Sequence, residues 1–357
     1  MKSLVRAFIA IVTISIALLF GISYLNAAEG YSGDNTLTIF NWGDYIDPEL
    51  ITQFEEETGI KVIYQTFDSN EAMMTKIEQG GTTFDIAVPS DYTIAKMIDE
   101  DLILPIDYSQ IEGIENIDER FLDLSFDPDN KYSIPYFWGT VGIVYNPDLL
   151  DGKELTSWND LWDESLRNQI FLADGAREVV GMALNSLGFS LNSTDPAELA
   201  AASGKLQSLM PNVKAILGDE IKMLLANEEA AVGLVWSGDA AEIMYENEAL
   251  TYVIPEEGTN LWSDNLVIPK TAKNIDAAYA FINFMLRPDV AAQNADYVGY
   301  STPNAAAIEL MDPEVTEDER FYPPAEITDT LEYYDNIGKA NLATYNDIFL
   351  EFKMSGQ

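Results

Sequence analysis

The chain contains no cysteine and no histidine among its 357 residues, and only 19 lysines and arginines stand against 60 acidic side chains. Each scarcity excludes a class of chemistry. Without histidine there is no Ser-His-Asp triad, no imidazole base and no imidazole metal ligand. Without cysteine there are no disulfides, thiolate nucleophiles, zinc–thiolate sites or lipidated N-terminal cysteine. A formal charge of −41 repels nucleic acid, whose phosphates are bound by lysine and arginine. Nucleotide-binding GxGxxG and Walker A patterns are missing, as is the Asp-Thr-Gly of aspartic proteases. Asp127-Pro-Asp129-Asn130 has the look of a calcium loop, but Tyr132 occupies the position that requires glycine. What remains is carboxylates, hydroxyls, amides and aromatic rings, with a hydrophobic content of 47% and an aromatic content of 11% that suffice for a core.

The length suits one large domain or two. Lys2 and Arg6 precede an uncharged apolar run from Ala7 to Leu25, followed by Asn26-Ala27-Ala28. Residues 1–28 therefore read as a signal peptide or an N-terminal membrane anchor, with the rest of the chain outside the cytoplasm. Residues 29–35 read as a linker.

Short apolar runs then alternate with helical patterns. Strands are expected at Thr36–Phe40, Lys61–Tyr64 and Phe84–Val88. A helix begins at Pro48 and stops at Gly59, and another spans Asn70–Gln79, with Asp68 and Glu71 as a capping-box-like start. This β-α-β-α-β order points to a parallel sheet with covering helices. A second α/β region is expected from strands at Phe137–Tyr145, Phe171–Ala173, Ala231–Trp236 and Asn265–Pro269. Its helices are a start at Asn159–Trp162 and the spans Val179–Leu187, Pro196–Met210 and Ile275–Leu286.

Aromatic and acidic residues recur together where expected strands end. Trp42 is followed by Asp44 and Tyr45, Ser90 by Asp91 and Tyr92, and Trp236 by Asp239. Trp262 and Asp264 stand just before a strand, Glu178 follows the turn Asp174-Gly175, and Tyr300 lies in Gly299–Asn304. Open α/β sheets bind ligands at the carboxyl ends of their strands. An ammonium taken out of water needs carboxylate partners, and an aromatic face adds about 0.5–2 kcal/mol per well-placed cation. The combination suits a flexible organic cation. A metal would leave the tryptophans unused, and a sugar needs fewer acids. Trp158, Trp162 and Trp138 are instead assigned to core, the last to core or hinge. Asp44 and Asp239 also fit helix capping, and Asp174 fits a turn. With no histidine, affinity is expected to vary little between about pH 5.5 and 8.5.

Several segments together resemble the substrate-binding proteins of bacterial spermidine/putrescine ABC transporters. They are Thr38–Ile46, Phe54–Tyr64, Val88–Tyr92, Tyr132–Gly139, Gly175–Val179, Leu209–Val213, Trp262–Pro269, Phe284–Asp289 and Gly299–Asn304. The resemblance runs from about residue 36 to the C-terminus. It implies a two-lobed periplasmic-binding-protein fold of type II, each lobe a mostly parallel sheet flanked by helices, with a hinge between. The implied N-lobe is residues 36–139 and 263–307, and the C-lobe residues 140–262 and 308–357. It further implies a monomer, not an enzyme, that captures polyamine in an interlobe cleft without a cofactor or metal and docks on a membrane permease. The implied ligand-binding residues are Trp42, Asp44, Tyr45, Ser90, Tyr92, Glu178, Trp236, Asp239, Trp262, Asp264 and Tyr300, with Gly43, Asp174 and Tyr334 as further candidates. Gly43, Gly175 and Tyr334 depart from the family pattern, so the polyamine class is better supported than the choice of polyamine. The alternatives are an extracellular glycoside hydrolase working with two carboxylates, or a binding protein for another cationic small molecule.

Overall fold

The computed structural model describes residues 35–356. The signal-or-anchor segment 1–28, and the linker up to residue 34, lie outside the described residues. Among the described residues no helix is long and apolar enough to cross a membrane.

Strand β1 (Thr36–Trp42) pairs in parallel with β2 (Lys61–Phe67) and β3 (Ile86–Ala87). Its side chains alternate between two buried faces. Leu37 and Ile39 join one core, and Phe40 joins another with Phe84, Met73 and Ile94. A strand covered on both faces is continuously apolar, which is why Thr36–Phe40 is legible as a strand. The helix Pro48–Thr58 starts with Asp47, which accepts from the Glu49 N–H at 2.8 Å, and stops at Gly59, whose left-handed φ of 72° suits glycine. The expected Asp68–Glu71 capping box is not formed. Ser69 caps the helix Asn70–Gln79 by accepting from the Ala72 N–H.

One strand joins the two halves. β4 (Ser133–Tyr145) is buried along its whole length, and its residues Ser133–Thr140 pair antiparallel with β9 (Leu261–Val267). The register slips between Pro135 and Phe137, where proline cannot donate to the ladder. From Val141 to Tyr145 the same strand pairs with β7 (Val232–Trp236) and β8 (Thr251–Val253). β5 (Ile170–Ala173) then runs parallel to both β7 and β6 (Val213–Leu217). The path is β2-β1-β3-β9-β4-β7-β5-β6. Thus each half carries parallel strands outward from an antiparallel crossover at β4 and β9.

β9 starts at Leu261, earlier than expected, so Trp262 and Asp264 lie inside it. The expected helix at Asn159–Trp162 is a 3₁₀ turn over Trp158–Trp162, held by a Ser157–Asp160 capping box. Trp138 and Trp158 are core. Trp162 is only half-buried, with the Lys205 ammonium 4.6 Å from its ring. The sequence reading missed β6, the helix Glu220–Ala226 and the 18-residue helix Gly338–Ser355, which lies on the helix Ala176–Asn185.

Candidate functional site

The carboxyl ends of β1 and β3 in one half, and of β5 and β7 in the other, carry the side chains that converge. Trp42 is the last residue of β1, and Tyr45 follows in the turn before Pro48. Ser90 and Tyr92 follow β3, where a single bridge sets Ser90 against Asp264 of β9. Glu178 lies in the first turn after β5, and Asp239 in the first turn after β7.

Asp264 is the centre of this group. It is 6% exposed, accepting from Ser90 Oγ at 2.6 Å and from the Tyr45 hydroxyl at 2.6 Å. Burial pushes its carboxyl up to about 6, against the pull of those two hydroxyls. Asn70 clamps Ser90 from behind. Its side-chain N–H groups reach Ser90 Oγ and the Tyr92 hydroxyl at 3.1 Å each, and its oxygen accepts from the Ser90 N–H. Tyr45 is held in turn by Tyr136, whose hydroxyl donates to its carbonyl at 2.7 Å.

Aromatic rings wall the centre. Tyr300 meets Tyr45 and Trp262 edge-on, each with ring centres 5.3 Å apart. Its hydroxyl donates to Asp239 at 3.3 Å. Burial raises Asp239 to about 6, opposed by Lys222, whose ammonium bonds Glu242 at 2.6 Å. Burial also raises Glu178, with Arg177 and the Tyr334 hydroxyl pulling the other way. Tyr334 is 4% exposed, with its ring 6.2 Å from that of Tyr92 and 4.3 Å from the Arg177 guanidinium. The indole N–H groups of Trp42 and Trp262 are buried without a hydrogen-bond partner. Trp236, half-buried, ends β7. Among the described residues, no lysine or arginine makes an ion pair with Asp264, Asp239 or Glu178. Nor do the described acids form a group arranged to hold a metal ion.

Three expected residues stand apart. Gly43 and Asp44 are exposed, and Asp44 occupies a left-handed turn position with φ 49°. The helix cap that Asp44 also fitted is Asp47. Asp174 is exposed and ion-paired with Lys353 at 2.8 Å. The sequence reading missed Asn70, Tyr136 and Arg177. Asn70 follows the end of β2, the same signal that found the others, but it carries neither an aromatic ring nor an acid. Tyr136 is hidden in the apolar run of β4, and Arg177 in the helix Ala176–Asn185.

Known proteins resemble this chain over most of its length. A family model described as bacterial extracellular solute-binding protein matches residues 49–323. The spermidine/putrescine-binding periplasmic protein of Escherichia coli is 42% identical over 338 residues, covering 94% of this chain and 96% of the relative. The putrescine-binding periplasmic protein of the same organism is 37% identical over 313 residues, with 82% and 84% covered. A solved structure described as a putative spermidine/putrescine ABC transporter from Listeria monocytogenes superposes with a TM-score of 0.85. It shares 64% identity, with 90% of this chain and 99% of that one covered. The type II periplasmic-binding-protein fold, the two halves joined through β4 and the family match agree, and the chain belongs to the bacterial extracellular solute-binding proteins.

Proposed function

We propose that this protein captures a polyamine, putrescine or spermidine, outside the cytoplasm and delivers it to the membrane permease of an ABC importer. The observation that carries the reading is Asp264. A carboxylate buried beside Tyr45, Trp262 and Tyr300, held by two hydroxyls and paired with no cation, is a site completed by an ammonium group. Asp239 and Glu178 extend the acidic line into the other half, and the rings between them suit the methylenes of a diamine. The E. coli relatives, named as spermidine/putrescine-binding and putrescine-binding proteins, support the same class of ligand.

The site residues are those of the sequence reading other than Gly43, Asp44 and Asp174, with Asn70 and Tyr136 as supports. Asp44 and Asp174 belong to the surface. The lobes are residues 36–139 with 263–307, and 140–262 with 308–357. The hinge runs through β4 near Thr140, where that strand changes partners. Residues 1–28 export or anchor the chain, which works as a monomer and releases its ligand unchanged. Calorimetry of the purified protein against putrescine, cadaverine, spermidine and spermine tests the reading. Saturable one-to-one binding of at least one is expected, and no heat with any of them overturns it.

A further inference from the structure

Gly238 lies in the first turn of the helix Ser237–Glu246, directly after β7. Its φ is not positive, so the backbone there does not call for glycine. Glycine is a poorer helix former than alanine, so its presence here has another reason. The reason is contact. A Cβ at this position would overlap the ring of Tyr300.

Tyr300 comes from the other half. It follows the helix Pro288–Val298, which is bound to the β1 side through Asn294 and Asp47. Its neighbour Ser301 accepts from the Trp138 N–H at 3.0 Å, fixing the base of Tyr300 against the first part of β4. From there the ring passes Tyr45 and Trp262, near Asp264, and ends with its hydroxyl on Asp239, next to Gly238. It therefore spans from the acid of one half to the acid of the other.

We propose that Gly238 is a positioning residue for ligand capture, the flat seat on which the Tyr300 ring lies when the two halves close. The absent side chain lets the ring reach Asp239 while its flank stays against Trp262. A methyl group at 238 pushes the ring off, and the halves cannot meet at this point without displacing it. The inference rests on the capture reading above, but its contact is observable without ligand.

The test is a cycle of Gly238→Ala, Tyr300→Ala and the double variant, read in two ways. Putrescine affinity is measured by calorimetry. In the ligand-free protein, the distance across the cleft is measured between spin labels on Glu78→Cys and Glu246→Cys, which are unique because the chain has no cysteine. We expect Gly238→Ala to weaken binding roughly tenfold or more when Tyr300 is present. In the Tyr300→Ala background it should cost less than about twofold, because the obstructing ring is gone. The label distance should lengthen in the single variant and return in the double. Equal losses in both backgrounds, or an unchanged affinity and distance, overturn the proposal. A Gly238→Ala chain that folds only when Tyr300 is shortened supports the contact, whereas one that misfolds in both backgrounds overturns it. If the unaltered protein binds no polyamine, the capture reading fails and the label distances alone decide the seat.

Discussion

At the residue scale the decisive feature is a carboxylate placed where water does not reach it. Burial raises Asp264 to about 6, while in the unfolded chain it titrates near 3.8. Between those two pH values the folded state holds a proton that the unfolded state has lost. Stability from this group is present below about pH 4 and is lost as pH rises through about 6. The difference is on the order of 3 kcal/mol. We expect Asp264→Asn to raise the melting temperature of the empty protein at pH 7 and to flatten its decline between pH 4 and 6. The same variant should weaken putrescine binding by about 2–5 kcal/mol, because the ammonium loses its counter-charge. In the unaltered protein affinity should be level above about pH 7 and fall below about pH 6, as Asp264 and Asp239 take up protons. This prediction differs from the flat profile expected from the lack of histidine, because burial pushes Asp264 and Asp239 up to about 6. Melting curves and calorimetry across pH 4.5–8 check both (about half-unit steps resolve a single titration), and an Asp264→Asn protein with unchanged affinity would remove Asp264 from the site.

Elements hold the site by their ends rather than their middles. The chain from Asp47 to Tyr45 illustrates it. Asp47 caps the helix Pro48–Thr58 and accepts from Gln293 Nε2 at 2.7 Å, while its own N–H donates to Asn294. Asn294 in turn bonds the Tyr136 hydroxyl, which holds the Tyr45 carbonyl. Asp47→Ala should cost about 1–2 kcal/mol in stability through the lost cap. The backbone half of the relay survives the change, so putrescine affinity should stay within about twofold. Denaturant unfolding beside calorimetry separates the two, and a large affinity loss with unchanged stability would contradict this division. The helix start was legible from Pro48, but the capping role was expected of Asp44 and falls to Asp47. The Ser69 cap and the 3₁₀ turn at Trp158 were not legible, because both depend on which neighbouring donor is left without a partner once the segments pack.

For the whole molecule the charge of −41 acts at a distance. Most of the 60 acids are not among the site residues, and their summed field draws a polycation toward the protein without choosing among ligands. The association rate for putrescine should therefore fall as ionic strength rises from about 0.01 to 0.15 M, where the screening length shrinks from about 30 to 8 Å. The dissociation rate should change far less, because the buried pairs are shielded from salt. Stopped-flow mixing on the tryptophan signal measures both, and a salt-independent association rate would confine the acids to solubility.

The amino-acid sequence by itself determined the absence of thiol and imidazole chemistry, the α/β alternation and the aromatic–acid pairs at strand ends, because these are properties of residue type and local period. Most residues that converge on Asp264 were visible in this way. The tertiary structure alone decided how they meet. The run from Ser133 to Tyr145 reads as a core strand, and only its change of partners from β9 to β7 makes it the link between halves. Asn70 became a support by standing behind Ser90, Asp174 left the group by pairing with Lys353, and Gly238 acquired a role from a ring 62 residues further along the chain. Contacts between distant segments carry no local period, and burial, which sets the charge of Asp264, belongs to the packed molecule alone.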